Sequence, residues 1–180
     1  MNRKGLAYRI IRRLISKPGW YLVNHVWCGT EITHFEKKRR FLNFLGHQIG
    51  EGTKVVGPLW CTGRLVVGKN CWIGKNLLVN GNGTVTIGDC CDIAPEVAFQ
   101  TGGHKIGSAH RRAGKGVKFN IEVGNGCWLG ARSTILGGVH VGDSCMIAAC
   151  ACVNKDVPKN SLVGGVPARI IRELSEDGED

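Results

Sequence analysis

Along most of this chain an apolar residue returns at every sixth position. Val123, Leu129, Ile135, Val141, Ile147 and Val153 form one run, and Ile49, Val55, Cys61, Val67, Ile73 and Val79 form another. After two extra residues, Ile87, Ile93 and Phe99 resume the same spacing. This period is neither the 3.6 of an amphipathic helix nor the 2 of a half-buried strand. A fixed hexapeptide period predicts a parallel β-helix, a solenoid whose short strands stack coil upon coil. The residue after the apolar one is often glycine, as at Gly50, Gly68, Gly74, Gly88, Gly124, Gly130 and Gly142. Glycine suits a chain that must turn a corner every few residues. Four positions after the apolar residue the side chain is often small: Cys71, Cys91, Cys127, Ser133, Cys145 and Ala151.

Outside the repeats the pattern changes. Residues 4–17 read as an amphipathic helix, with Leu6, Ala7, Ile10, Ile11, Leu14 and Ile15 on one side and Arg9, Arg12 and Arg13 flanking them. Pro18-Gly19 reads as its stop. Such a helix either packs on the end of the solenoid or lies weakly on an anionic membrane surface. Thr33-His34-Phe35-Glu36 reads as a capping box that opens a second helix, closed by Gly46 and suited to plug the open end of the core. The expected organisation is therefore an N-terminal helical segment at 1–48, the β-helix at 49–157 and a C-terminal strand, short helix and acidic tail at 158–180. Pro167 reads as the first turn of that helix.

One stretch breaks the repeat. Between 100 and 122 the spacing is lost in a Gly-rich, basic segment that carries His104 and His110. A long loop inside a compact repeat is more often functional than idle. Asn80-Gly81-Asn82-Gly83 holds the two extra residues and should bulge one corner.

Composition narrows the function. A chain of 180 residues that is 43% hydrophobic and 21% charged fits one globular unit, and 27 glycines fit a narrow core with many corners. The formal charge of +10 invites nucleic acid, yet no helix-turn-helix, finger or RNP-like motif accompanies it. The basic residues instead suit a polyanionic small molecule. No segment approaches 18 apolar residues, so a membrane span is not expected. The basic N-terminus lacks the long apolar run of a signal peptide, which points to a reducing cytoplasm. The nine cysteines then read as reduced and structural, because no C-x2-C pair exists to hold zinc; only Cys90-Cys91 and Cys150-Ala151-Cys152 come close together.

Four motifs in order carry a resemblance: Thr101-Gly102-Gly103-His104, Trp128-Leu129-Gly130-Ala131, Val153-Asn154-Lys155-Asp156-Val157-Pro158, and Gly165-Val166-Pro167-Ala168-Arg169-Ile170-Ile171-Arg172. The chain resembles the hexapeptide-repeat acyltransferases, and within them the galactoside and maltose O-acetyltransferases, from about Val67 to Leu174. It is also similar to acetyltransferases of surface-polysaccharide assembly. The resemblance implies a left-handed β-helix, a homotrimer with active sites between subunits, and acetyl transfer from acetyl-CoA to a sugar hydroxyl, with no metal. It implies that His104 is the general base and that the Ala131 backbone N–H faces the thioester oxygen. It further implies that Trp128, Ala149, Asn154, Lys155, Arg169 and Arg172 contact the coenzyme. On the acceptor side the pattern departs: the family asparagine falls at Gly74, so Asn76 and Asn82 are the expected acceptor contacts.

The residue types suit this chemistry. A hydroxyl needs a base with pKa near 7 to take its proton as it attacks, and histidine needs little tuning for that. A tetrahedral intermediate needs a donor for its oxyanion, which a backbone N–H supplies whatever the side chain. Guanidinium forks suit the phosphates of the coenzyme. Other readings on the same fold are a xenobiotic acetyltransferase of the streptogramin or chloramphenicol type, and a γ-carbonic-anhydrase-like zinc protein using His104, His110 and His140, whose spacing does not match. A non-catalytic scaffold is a third.

Overall fold

The structure, a computed structural model, describes residues 3–177, with side chains from Ile10 onward except those of Arg12 and Thr33. The expectations placed on the side chains of Leu6, Ala7, Arg9 and Arg12, and on the end of the acidic tail, lie outside the described residues.

The hexapeptides build a triangular prism. One face holds the parallel strands Gln48–Ile49, Arg64–Val67, Thr84–Ile87, Ile121–Val123 and His140–Val141. A second holds Lys54–Val55, Trp72–Ile73, Asp92–Ile93, Trp128–Leu129, Met146–Ile147 and Ser161–Gly165, with Ala168–Glu173 added antiparallel at its end. The third holds Leu59–Cys61, Leu77–Asn80, Ala98–Gln100, Thr134–Leu136 and Cys152–Val153. The chain visits the three faces in turn, so each residue stacks on its counterpart one coil away. Ile73 pairs with Val55 and with Ile93, and Ile93 pairs with Leu129.

Each strand turns two residues inward. The lattice residue is one, and all of the set are buried except Cys61, which is half-buried. The other precedes it by two. On the first face it is apolar: Leu65, Val85, Ile121 and Val139 are buried there. On the second face it is Thr53, Cys71, Cys91, Cys127, Cys145 and Ser161, all buried in one column. The column is a hydrogen-bond ladder. The thiols of Cys71, Cys91 and Cys127 donate to the carbonyls of Gly88, Gly124 and Gly142, each at 3.1 Å. The N–H groups of Cys91 and Cys127 donate to the sulfur one rung back, each at 3.4 Å. The next thiol's hydrogen bond, and then burial, push Cys91 and Cys127 up to about 11. These are neutral thiols, and each S–H has the carbonyl acceptor that a buried donor needs.

The N-terminal end of the prism is closed by helices. α1 spans Arg3–Tyr21 and runs into a wider π-turn at Leu22–Val26; α2 spans Ile32–Phe44. Leu42 of α2 and Val23 of the π-turn are fully buried against the first coil. Three side chains finish the exposed backbone edges of that coil. Asn24 donates to the Leu59 carbonyl and accepts from its N–H, both at 3.0 Å. Asn43 does the same for Ile49 at 3.1 and 2.6 Å. Lys38 Nζ donates to the carbonyls of Val56 at 2.9 Å and Gly29 at 3.2 Å, against the ring of Phe35. An open sheet edge is thereby covered on every face.

Three expectations are corrected. Pro18 lies inside α1 and does not stop it. Gly19 is required there by the close approach of α1 to the ring of Phe41, not by a helix end. α2 starts at Ile32 with Glu31 at its N-cap and no capping side-chain hydrogen bond, so Thr33 lies inside the helix. The C-terminal segment is not a helix: Ser161–Gly165 extends the second face, and Ala168–Glu173 folds back on it as a hairpin. The last coil offers unpaired strand partners and an open core, and Ala168 packs against that core. No helix among the described residues is long and apolar enough to cross a membrane. Beyond its last turns α1 leaves a stripe of apolar residues exposed, with Leu14 at 72% and Ile10 at 51%.

Candidate active site

The segment that breaks the repeat is a two-stranded antiparallel hairpin, Gly102–Ile106 with Ala113–Lys118. It projects from the corner between the third and first faces. It accounts for the register there: Val85 pairs with Ile121, and the intervening residues hold the hairpin. Two polar residues clamp its root. Thr101 is buried; its hydroxyl donates to the Asn80 carbonyl at 3.0 Å and accepts from Gly83 N–H at 3.1 Å. Asn120 accepts from Thr84 N–H at 3.0 Å, and its carbonyl accepts from Gly138 N–H at 2.9 Å. Both clamps tie the hairpin to the coils on either side.

His104 sits on the first hairpin strand, opposite Gly116. Its Nδ1 lies 2.8 Å from the Gly114 carbonyl oxygen. A carbonyl only accepts, so Nδ1 carries the proton and Nε2 presents a lone pair. The imidazole lines a cavity of about 520 Å³ together with Asn82, Gly103, Gly116 and Lys118. This volume lies in the range of small-molecule sites. Asn82 is thus brought to His104. Asn76 is not: it stands on the corner between the second and third faces, in a left-handed conformation at φ 57°.

The residues expected to meet the coenzyme gather elsewhere. Trp128 is 53% exposed on the outer side of the second face. It pairs with Met146, Met146 with Leu162, and Leu162 with Arg172, which makes one row across that face. Arg169 pairs with Gly164, two residues from Leu162 on the same strand. Residues two apart share a face. A bulge at Ile171 absorbs the odd residue, so Arg169 and Arg172 stand on one side. Ala131 and Ala149 line a common cavity of about 350 Å³ on the adjoining corner, beside the Glu96–Arg132 ion pair at 2.7 Å. Among the described residues the Ala131 N–H has no acceptor. Lys155 shares a cavity of about 310 Å³ with Arg169 at the C-terminal end. Asn154, beside Lys155, is exposed.

His104 and the second face therefore occupy opposite sides of one prism. No single chain brings them together. Thr101 stands within a motif but was given no role, and Asn120 and Lys118 were not singled out. The signal for the first two was their position at the two ends of the broken repeat, and Lys118 was visible only as one basic residue among several. Among the described residues no group of three His, Cys, Asp or Glu side chains converges as a metal site would.

Comparison with known proteins agrees with this architecture. Residues 120–155 match the family described as bacterial transferase hexapeptide (six repeats). The galactoside O-acetyltransferase of Escherichia coli K12 is 33% identical over 167 residues, which cover 92% of this chain and 80% of that protein. A galactoside acetyltransferase solved in complex with coenzyme A superposes with a TM-score of 0.78 at 32% identity, over 92% of this chain and 82% of that one. A hexapeptide-repeat acetyltransferase of Vibrio cholerae, solved with acetyl coenzyme A, gives a TM-score of 0.77 at 28% identity, over 92% and 88%. The coil is the left-handed β-helix of these proteins, and by sequence and by fold the chain belongs to the hexapeptide-repeat acetyltransferase family.

Proposed function

We propose that this enzyme, an acetyl-CoA-dependent O-acetyltransferase, acetylates a saccharide hydroxyl at sites shared between the subunits of a homotrimer. The observation that carries the reading is the placement of two half-sites. The proton acceptor, His104 Nε2, opens into a polar cavity on one corner. The cationic and backbone groups suited to a coenzyme lie on the opposite face. A prism with flat faces packs about a threefold axis, and such packing lets the hairpin of one subunit meet the second face of the next. Ile106, 89% exposed near the hairpin tip, is available for that contact.

Acetyl-CoA supplies the activated acetyl group as a thioester. His104 Nε2 takes the proton of the acceptor hydroxyl as its oxygen attacks, while the Gly114 carbonyl holds Nδ1–H and steadies the imidazolium. The Ala131 N–H of the neighbouring subunit donates to the oxyanion. His104 then returns its proton to the departing thiolate sulfur. Arg169, Arg172 and Lys155 hold phosphate groups, with Trp128 and Ala149 along the arm between. Asn154 lies beside Lys155, and Asn82 orients the acceptor. The exposed apolar stripe of α1, in a segment without any acidic residue before Glu31, supports weak association with an anionic membrane surface.

The test is a panel of mono- and oligosaccharides with acetyl-CoA, following free thiol and acetylated product together. Acceptor-dependent thiol release that disappears in His104→Ala is expected. Release that is unaffected by any saccharide overturns the acceptor class.

A further inference from the structure

A second cavity is larger than the one at His104. It lies where α1 crosses the first coil, holds about 700 Å³, and is walled by Arg13, Ser16, Trp20, His47, Gly63 and Arg64. Its charge is one-sided. Among the described residues no carboxylate pairs with the Arg13 or Arg64 guanidinium, and none lines the cavity. His47 accepts the Leu65 N–H on Nδ1 at 3.2 Å, so its proton resides on Nε2. Cys61, also in the wall, is pushed up to about 12 by burial and adds no negative charge.

This cavity and the one at His104 lie on the same edge of the prism. Gly63 stacks against Gly81 and Gly83, and Gly81 stacks against Gly102, so three successive corners superpose. Gly63 lines the upper cavity, while Gly81, Asn82 and Gly102 line the lower. Arg64 pairs directly with Thr84, whose N–H holds the hairpin clamp Asn120. Glycine at these corners keeps the edge low between the two cavities, where the one bridging side chain, Thr62, is folded onto the Gly81 backbone through its hydroxyl at 2.9 and 3.0 Å. Adjacent strands lie about 4.8 Å apart, so Gly63 and the coil of Gly102 that leads into His104 are two steps, about 10 Å, apart, the span of roughly two sugar rings.

We propose that this edge is one acceptor groove, in which the cavity at Arg13, His47 and Arg64 binds an oxyanion carried by the saccharide about 10 Å from the hydroxyl presented to His104. The inference rests on the acetyl transfer proposed for His104. The oxyanion is a carboxylate of an acidic sugar or a phosphate at a reducing end, since both accept from a guanidinium fork.

The experiment compares three acceptors of equal length with the full-length protein: a neutral oligosaccharide, one with a uronic acid, and one with a reducing-end phosphate. The ratio of kcat/KM, anionic over neutral, is measured for the wild type, Arg64→Lys and the double variant Arg13→Ala/Arg64→Ala. A wild-type ratio of about tenfold or more is expected, since one charged hydrogen bond supplies that much. It should fall towards one in the double variant and recover in part with lysine. The anionic arm with the higher ratio identifies the source. Calorimetric titration with glucuronate and with pyrophosphate runs in parallel. A ratio of one in the wild type, or a ratio and titrations identical in wild type and double variant, overturns the subsite. Absence of acetylation from every acceptor would instead sink the reading of His104, and the titrations alone would then decide the subsite.

Discussion

His104 donates its Nδ1 proton to the Gly114 carbonyl 2.8 Å away, across the two strands of one hairpin. The bond fixes the tautomer and aims the ring, so the role proposed for this histidine depends on the hairpin as much as on the residue. His104→Ala is expected to lower kcat by about 10²–10⁴-fold, the usual worth of general-base help. The dissociation constant for coenzyme A, measured by calorimetry, should barely move, because the groups proposed to hold the coenzyme lie on the far side of the prism. Wild-type turnover in the variant would place the base elsewhere.

Two half-sites on opposite sides of a chain make a prediction about mixtures. Subunits carrying His104→Ala and subunits carrying Arg169→Ala/Arg172→Ala should each be poor at low acetyl-CoA. Co-expressed in equal amounts they should regain about one quarter of wild-type activity, since about one interface in four pairs two intact halves in a random trimer. An active site contained within one chain predicts no recovery at all, and sedimentation of the mixture checks that trimers formed.

Thr101 tests whether the root of the hairpin positions the histidine. Thr101→Val keeps the shape and leaves the Asn80 carbonyl and Gly83 N–H without their hydroxyl partner. The expected cost is about 1–3 kcal/mol of stability. Thermal melts should show it, along with a fall in kcat that exceeds any change in coenzyme affinity. A stability loss with unchanged kcat would make the clamp purely structural.

Lys38 gives the fold a pH dependence of defined sign. Burial lowers its pKa from 10.5 to about 8. Between those values an unfolded chain binds a proton that the folded chain does not, so Lys38 makes stability rise with pH through that window. Below about pH 8 both states are protonated and the penalty of the buried charge is constant. Melting curves of the wild type and Lys38→Met from about pH 7.5 to 10 should diverge, with the wild type gaining relative to the variant as pH rises. Parallel curves would show that the ammonium is not buried in solution.

The prism was legible because its demand is strict: every sixth residue must fill a narrow core, and Ile73, Ile93, Leu129 and Ile147 do so on one face. His104 was legible because it stands where that demand lapses. The thiol ladder was half legible. Small size at Cys71, Cys91, Cys127 and Cys145 is a sequence fact, but a carbonyl partner one coil away depends on stacking. The C-terminal segment misled because proline before an apolar-basic run suits a helix, whereas an unfinished sheet edge draws the same residues into a strand. Pro18 misled in a related way. It removes one backbone donor, yet the helix runs on to Tyr21, with Gly19 packed closely on the Phe41 ring. Arg13 and Arg64 are far apart in sequence, and no spacing rule connects them; only the crossing of α1 over the first coil brings them to one cavity.

The ladder of thiols also works as a depth gauge. A solenoid is held by nearest neighbours alone, so it can melt from its ends inward rather than all at once. Cys71, Cys91, Cys127 and Cys145 mark four successive coils, each sealed from solvent while its own coil is closed. Brief alkylation in mild denaturant, read by mass spectrometry, would therefore record the order of opening without any introduced label. Inward fraying would modify the outer pair, Cys71 and Cys145, before Cys91 and Cys127. A single cooperative transition would modify all four together, and would mean that the helices and the hairpin at the two ends bind the stack into one unit.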